Sequence, residues 1–467
     1  MPVRYKKFGQ QEYAYEIWNE KDPVSGKWIQ RSRYLGVVID KEKAVYAKRL
    51  QDKSDEQYIL DYGDCYYFRE FLIKENLLPL LKTVFTTHAD TIWSLALFKL
   101  QGGSAMRHAQ TWYEGSAARL LFPQATVSTQ SISSLLDMMG KEKLQRRFFQ
   151  TYLQDMCPKQ PSIIIDSTGL PNQIKMPITE WGYHDGTIEK EVRLILAVEK
   201  ESKMPLYFRY VAGNIGDVST LITTISELQK LGVKPTVSII DAGYCSEDNI
   251  QALYRGEIGF LTRLPTNRIL YQDLVAKEAV GIERLANAVV YGKRGLFIKK
   301  QQVDLYGHLA YAYIVCDPVR RGAEVSKSIL GLQQDDDQLD LQNCGIMVLV
   351  SNMELDTKEV VPLYYARQAA EQLFGISKAD LHILPVRVHS EARFRGLMLL
   401  SFITLVVYLK LKKSIEPTMT VEQLLLLMRN LKCKVYNDHS LIIGEVNKEQ
   451  REAFEKVGIL VPKRRGI

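Results

Sequence analysis

The 467 residues are too many for one compact core and set an expectation of two to four domains. With 46% hydrophobic and 25% charged residues and no long Pro/Ser-rich tract, the sequence excludes a disordered or fibrous chain. Its 61 basic against 54 acidic residues leave a net charge of +7, which favours a polyanionic partner without specifying one.

Residues 1–54 alternate aromatic and polar positions (Tyr13, Tyr15, Ile17, then Trp28, Ile29, Tyr34) around a turn at Pro23, Ser25 and Gly26, the pattern of a β-hairpin region. The first thirty residues are charged and aromatic, unlike a secretory signal, so a cytoplasmic location is expected. Over 55–157 the apolar spacing turns helical, as in Phe68, Phe71, Leu72 and Leu77, Leu80, Leu81, and predicts an α-helical domain. Within it, Ser128 to Phe149, broken at Gly140, reads either as a helix-turn-helix or as a plain pair of packed helices.

From Pro161 the texture becomes strand-like, with runs at 162–166, 192–198, 206–211 and 237–241, and a helix from Ser219 to Leu231 that ends at Gly232. Residues 158–265 thus predict the first part of an α/β core. A β-rich insertion over 266–342 follows, with short strands at 296–298 and 309–316 and the acidic cluster Asp335 to Asp337. The core resumes over 343–413 with a strand at 346–350 and helices at 361–380 and 391–412, and 414–467 reads as a C-terminal helical tail. Leu397 to Leu409 is free of charge, but a bilayer needs about 20 apolar residues, so a buried helix and no membrane are expected. The six cysteines lack zinc-type spacing and read as reduced thiols.

Asp166 and Asp241 each stand where a β-branched run stops and a small-residue loop begins, SIIIDSTG and SIIDAGY. Ligands of open α/β sheets collect at the carboxyl ends of strands, and strands about 4.8 Å apart can aim two carboxylates at one crevice. The alternative is that each aspartate opens a turn. Further on, Tyr364, Arg367, Glu371 and Lys378 share one face of a helix for which Pro362 suits the start, and an exposed Glu-Arg pair would look similar. Glycine-rich phosphate loops follow neither aspartate, which argues against a nucleotide-binding metabolic enzyme.

The order Tyr364, Arg367, Glu371, Lys378 resembles the signature around the third acidic residue of insertion-sequence-4-like DDE transposases. So do the settings of Asp166, of Gly213, Asn214 and Asp217, and of Asp241 before Ala242, Gly243 and Tyr244. The N-terminal hairpin and long helical stretch look most like the insertion-sequence-1634 subgroup of bacteria. The resemblance implies an α/β fold: a ribonuclease-H-like catalytic core interrupted by a β-rich insertion, with an N-terminal hairpin and an α-helical DNA-binding region. It implies metal-dependent cleavage at transposon ends and strand transfer into target DNA, by cut and paste. Asp166, Asp241 and Glu371 become the catalytic and metal-binding residues for two Mg²⁺ ions, with Mn²⁺ able to substitute, since three carboxylates suit hard divalent cations. Asp166 is expected to bridge both ions.

Arg367 and Lys378 are expected to hold phosphates, and Tyr364 to touch a phosphate, stack on DNA or simply pack. Trp181 is open between stacking on a displaced base and a buried or interfacial place, and Arg263 between DNA and the surface. His382 and His389 have no partner at metal spacing and read as structural or phosphate-contacting. The basic runs at 410–413 and 463–465 read as solvated ends that add nonspecific DNA affinity. The expected partners are double-stranded DNA, as terminal inverted repeats and target, and a second copy in the synaptic complex. A hydrolytic nuclease on the same fold and a noncatalytic DNA-binding relic are the alternatives.

Overall fold

The computed structural model describes residues 2–8, 11–21, 28–47, 56–103, 105–184, 187–330, 343–437 and 440–464. The chain divides into two compact units, one of residues 1–60, 432–445 and 462–467, the other of 61–431 and 446–461.

The chain opens with β1 (Val3–Phe8), β2 (Gln11–Lys21), β3 (Trp28–Asp40) and β4 (Val45–Ala47), an antiparallel sheet in that order. The predicted hairpin is its centre, with Tyr13 opposite Val37 and Lys21 opposite Trp28. The turn at Pro23, Ser25 and Gly26 lies outside the described residues. Next come β5 (Glu56–Asp61) and the helices α1 (Gly63–Lys74), α2 (Leu77–Phe85), α3 (Ala89–Leu100), α4 (Ala109–Gly115), α5 (Ala118–Leu121), α6 (Thr129–Met139) and α7 (Glu142–Met156).

Neither half of the possible helix-turn-helix stands free of the core. α6, capped by Ser128, buries Ile132, Leu135 and Leu136, while α7 buries Phe148, Phe149 and Tyr152. Both pack around α14 (Glu391–Ile415): those three aromatic rings cluster about Phe402. A Cβ at Gly140 would stand 2.0 Å from the Ala392 carbonyl oxygen, and one at Gly396 equally close to that of Leu136. The glycines let α6 and α14 touch backbone to backbone.

The α/β part contains β6 (Ser162–Pro171), β7 (Glu180–His184), β8 (Thr187–Glu199), β9 (Pro205–Ala212), α8 (Leu221–Lys230), β10 (Val237–Ile240), α9 (Glu247–Arg255) and β11 (Gly259–Arg263). α10 (Ile269–Leu274), β12 (Ala288–Tyr291), β13 (Arg294–Leu305), β14 (His308–Cys316), α11 (Pro318–Leu330) and β15 (Ile346–Ser351) follow. Their ten strands make one mixed sheet, β12-β13-β14-β15-β11-β10-β6-β8-β7, with β9 also against β8. β10 and β11 run parallel to β6, whereas β8 is antiparallel to it. The strands at 288–316 therefore extend the same sheet, through β14 against β15. The acidic cluster at 335–337 lies outside the described residues.

The single helix predicted at 361–380 is two, α12 (Thr357–Tyr365) and α13 (Gln368–Ala379). Asp356 caps α12, its carboxylate accepting from the Lys358 amide, so Pro362 sits inside the helix rather than at its start. Between the two helices the bonds tighten to three-residue spacing, Arg367 N–H to the Tyr364 carbonyl and Ala370 N–H to that of Arg367.

The chain closes with α14 (Glu391–Ile415), α15 (Val421–Arg429), β16 (Lys432–Tyr436), β17 (Leu441–Ile443) and α16 (Lys448–Val457). β16 and β17 make a small sheet with β5, which the purely helical reading of 414–467 lacks. By length and composition the 25-residue α14 could cross a bilayer, but 78% of its apolar window is packed inside the protein. The six cysteines are free thiols.

Candidate catalytic site

Two carboxylates come from neighbouring parallel strands. β6 and β10 pair as far as Ile165 opposite Ile240, where β10 ends and Asp241 leaves the sheet. β6 does not end there: it stays paired with β8 to Pro171, so Asp166 lies inside a strand and not at its end as the sequence implied. What ends at Asp166 is the ladder on one side only, which frees that edge for the loop carrying Asp241.

Asp166 and Thr168, two apart on β6, face the same way, and α13 packs over them. Arg367, at the joint between α12 and α13, reaches all three acidic residues. Its Nη1 donates to Asp166 Oδ2 at 3.0 Å, and its Nη2 lies 3.0 Å from Glu371 Oε1 and 3.8 Å from Asp241 Oδ1. The Tyr364 hydroxyl donates to Asp241 Oδ1 at 2.8 Å and Lys378 Nζ to Thr168 Oγ1 at 2.8 Å. The helix face legible in the sequence thus points at both aspartates.

Burial raises the Asp166 carboxyl to about 7; Arg367 and the Ser167 amide pull it down, and Asp241 and Glu371 add to the rise. Burial also lifts the Tyr364 phenol, with Asp241 adding to the effect. Burial works against the charge of Arg367, but the carboxylates outweigh it and raise its pKa. Among the described residues, no three His, Cys, Asp or Glu side chains are arranged to share one ion, and Arg367 stands between these three. The donor set nevertheless suits a hard divalent cation. It is all oxygen, it converges on one positive group, and burial leaves one member, Asp166, still titrating near pH 7 despite that group.

On the other face of β6 lies a polar network that the sequence did not disclose as a unit. Ser167 Oγ donates to Asp217 Oδ1 at 2.5 Å, and Arg193 Nη1 donates to the same oxygen at 3.0 Å. Arg193 Nη2 reaches the Tyr183 carbonyl at 3.1 Å and the fully buried Glu191 at 3.4 Å. Glycines make room for Glu191: a Cβ at Gly169 or Gly182 would stand 1.8 or 2.3 Å from its carboxylate oxygens. Asn249 Nδ2 donates at 2.8 Å to the carbonyls of both Val218 and Tyr244. Asp217 is therefore clamped between the residue after Asp166 and the turn after Asp241. Only Asp217, through its resemblance setting, was visible beforehand, because Glu191, Arg193 and Asn249 come together only once the strands are paired.

Residues 158–407 match the family model described as transposase DDE domain, more than half of the chain. The chain belongs to the DDE transposase family. This transposase is therefore an enzyme acting on DNA, and DDE transposases generally use divalent metal ions. No curated protein matches the chain. Among solved structures it is similar to the piggyBac transposase synaptic complex with hairpin DNA, with 11% identity, 81% of each chain covered and a TM-score of 0.44, a likeness too loose to carry an argument.

The remaining candidates lie apart from the three carboxylates or beside them. Trp181 is 59% exposed on β7, with Lys190 Nζ 5.7 Å from its ring centre, so it is not a core residue. Arg263 ends β11 half-buried, near enough to Tyr364 to lower its pKa, and its Nε has no hydrogen bond among the described residues. His382 and His389 line a cavity beyond α13.

Proposed function

We propose that Asp166, Asp241 and Glu371 are the catalytic carboxylates of this transposase and hold two Mg²⁺ ions, or Mn²⁺ in their place. The observation that carries this reading is the convergence of three oxygen-only side chains, from three distant stretches of sequence, on the single cation Arg367. The strand order β9-β8-β6-β10-β11 supports a ribonuclease-H-like core, with 266–342 as its insertion. The signature of Tyr364, Arg367, Glu371 and Lys378 supports the insertion-sequence-4-like group, and the N-terminal hairpin and helical stretch support its 1634 subgroup, hence a bacterial, cytoplasmic and nucleoid-associated protein.

The chemistry is phosphodiester exchange. Water attacks phosphorus at the transposon end and the 3′ oxygen leaves as a hydroxyl. That hydroxyl then attacks a target phosphodiester and displaces the target's own 3′ oxygen. The bound ions would activate the nucleophile and stabilise the leaving oxygen. The protein supplies the rest. The ions would supply positive charge that favours the ionised form of Asp166, and Arg367, beside the three carboxylates, holds phosphate. Lys378 holds a flanking phosphate, Tyr364 orients Asp241, and Trp181 and Arg263 touch DNA at the margins. Terminal repeats and target duplex are the substrates, and two copies of the chain bring two ends together.

The test uses duplexes carrying the element's own ends and a target plasmid, with Mg²⁺. Asp166→Asn and Glu371→Ala should each cut more than about a hundredfold more slowly, beyond the loss typical of an outer partner, with unchanged circular dichroism. Equal cleavage by wild type and either variant overturns the site. Cleavage without joining to the plasmid would make the protein a nuclease.

A further inference from the structure

The last turn of α3 carries a lysine, Lys99, whose charge the carboxylate site does not use. Lys99 is 2% exposed, and its side chain makes no hydrogen bond or ion pair with any described residue. Burial lowers its pKa to about 8. An ammonium held away from water costs free energy unless an anion meets it.

Lys99 faces a cavity of about 320 Å³ lined also by Arg107, Arg387, Arg393, His382 and His389, and by no carboxylate. Arg393 has a partner nearby, Asp137 at 3.1 Å. Arg387 is exposed and makes no ion pair with a described residue. Thr129 and Ser133, one turn apart on the first half of α6, add hydroxyls to the wall. Apolar side chains, among them Ile132, Leu136 and Leu397, make up the rest of the wall, so the charge in the lining is all positive, and its deepest member has no counter-ion among the described residues.

The pocket lies beyond the far end of the helix that carries Glu371. From Glu371 to Ala379, α13 covers about 12 Å at 1.5 Å per residue, or three to four steps of duplex at about 3.4 Å each. The chain then turns into the rim formed by His382 and Arg387.

We propose that this pocket is a second DNA contact, which receives one backbone phosphate against Lys99 with Arg387 and Arg107 at its mouth. The proposal rests on the chain's action on DNA and not on the assignment of the three carboxylates, so the two readings fail separately.

The test measures binding of the full chain to a fluorescent duplex with 5′-hydroxyl ends, without divalent ions, over a series of NaCl concentrations. Lys99→Met removes the charge and keeps the volume. It should bind about tenfold more weakly, with a salt slope smaller by about 0.9 and a thermal midpoint no lower than wild type. Arg387→Gln, at the exposed rim, should weaken binding in the same sense, and it decides the matter if Lys99→Met does not fold. Wild-type affinity and slope in the folded variants overturn the proposal. So does an effect confined to a 5′-phosphorylated duplex, or a loss of stabilisation by inorganic phosphate while duplex affinity stays intact. Either result would make the pocket a site for a terminal or free phosphate.

Discussion

Asp166 feels two environments that oppose each other, and burial prevails over the guanidinium 3.0 Å away. Because its pKa rises from the ordinary 3.8 to about 7 on folding, the folded protein binds this proton more tightly than the unfolded chain. The stability it confers is complete below about pH 4 and is lost as the pH climbs through 7, a swing on the order of a few kcal/mol. Metal-free wild type should therefore lose thermal stability between pH 5 and 8, and Asp166→Asn should lose clearly less. Parallel melting curves for the two would show that Asp166 does not carry the effect. The spacing of Tyr364, Arg367, Glu371 and Lys378 was legible in the sequence. What it could not show was the target of Arg367, since Asp166 lies 201 residues away and only the sheet brings them together.

At the scale of elements, periodicity located β9, β10 and α8 well, because each buries one face or a continuous apolar run, but found only the buried half of β8. It misjudged β6, whose small residues Ser167, Thr168 and Gly169 read as a loop although β8 keeps them in the ladder. Gly169 is there for Glu191, a reason invisible until the two strands are side by side. The joint at Arg367 was hidden too, because tightened backbone bonds leave the helical spacing almost unchanged. Asp217 follows from the same geometry. It grips Ser167, whose amide donates to Asp166 Oδ1 at 3.0 Å, and so acts on the first carboxylate through a neighbour. Asp217→Ala should cut about 10- to 100-fold more slowly, with duplex affinity unchanged and a higher Mn²⁺ concentration needed for half-maximal binding. A wild-type Mn²⁺ titration would make Asp217 a packing residue with no bearing on the site.

Across the whole molecule, the stretch between Asp241 and Glu371 looks removable in sequence, a β-rich excursion with the core resuming afterwards. The sheet gives it a different standing. β15 lies between β11 and β14, so β14 satisfies one full edge of the strand that leads to α12. Val289, Leu296, Ile298, Tyr313 and Val315 from 288–316 share one buried cluster with Leu261, Val360, Val361 and Tyr364. The excursion thus forms the floor under the helix whose Tyr364 bonds Asp241. Excising residues 285–330 with a short linker would bare that floor and leave the β15 edge without its ladder, two losses that surface loops do not suffer on shortening. The excised protein should be insoluble, or should melt without a cooperative transition and not cleave, whereas Lys300→Ala at an exposed ion pair with Glu354 should melt as wild type does. A soluble excised protein that still cleaves transposon ends would show that α12 holds its place without this floor, and that the strands serve some purpose other than carrying the site.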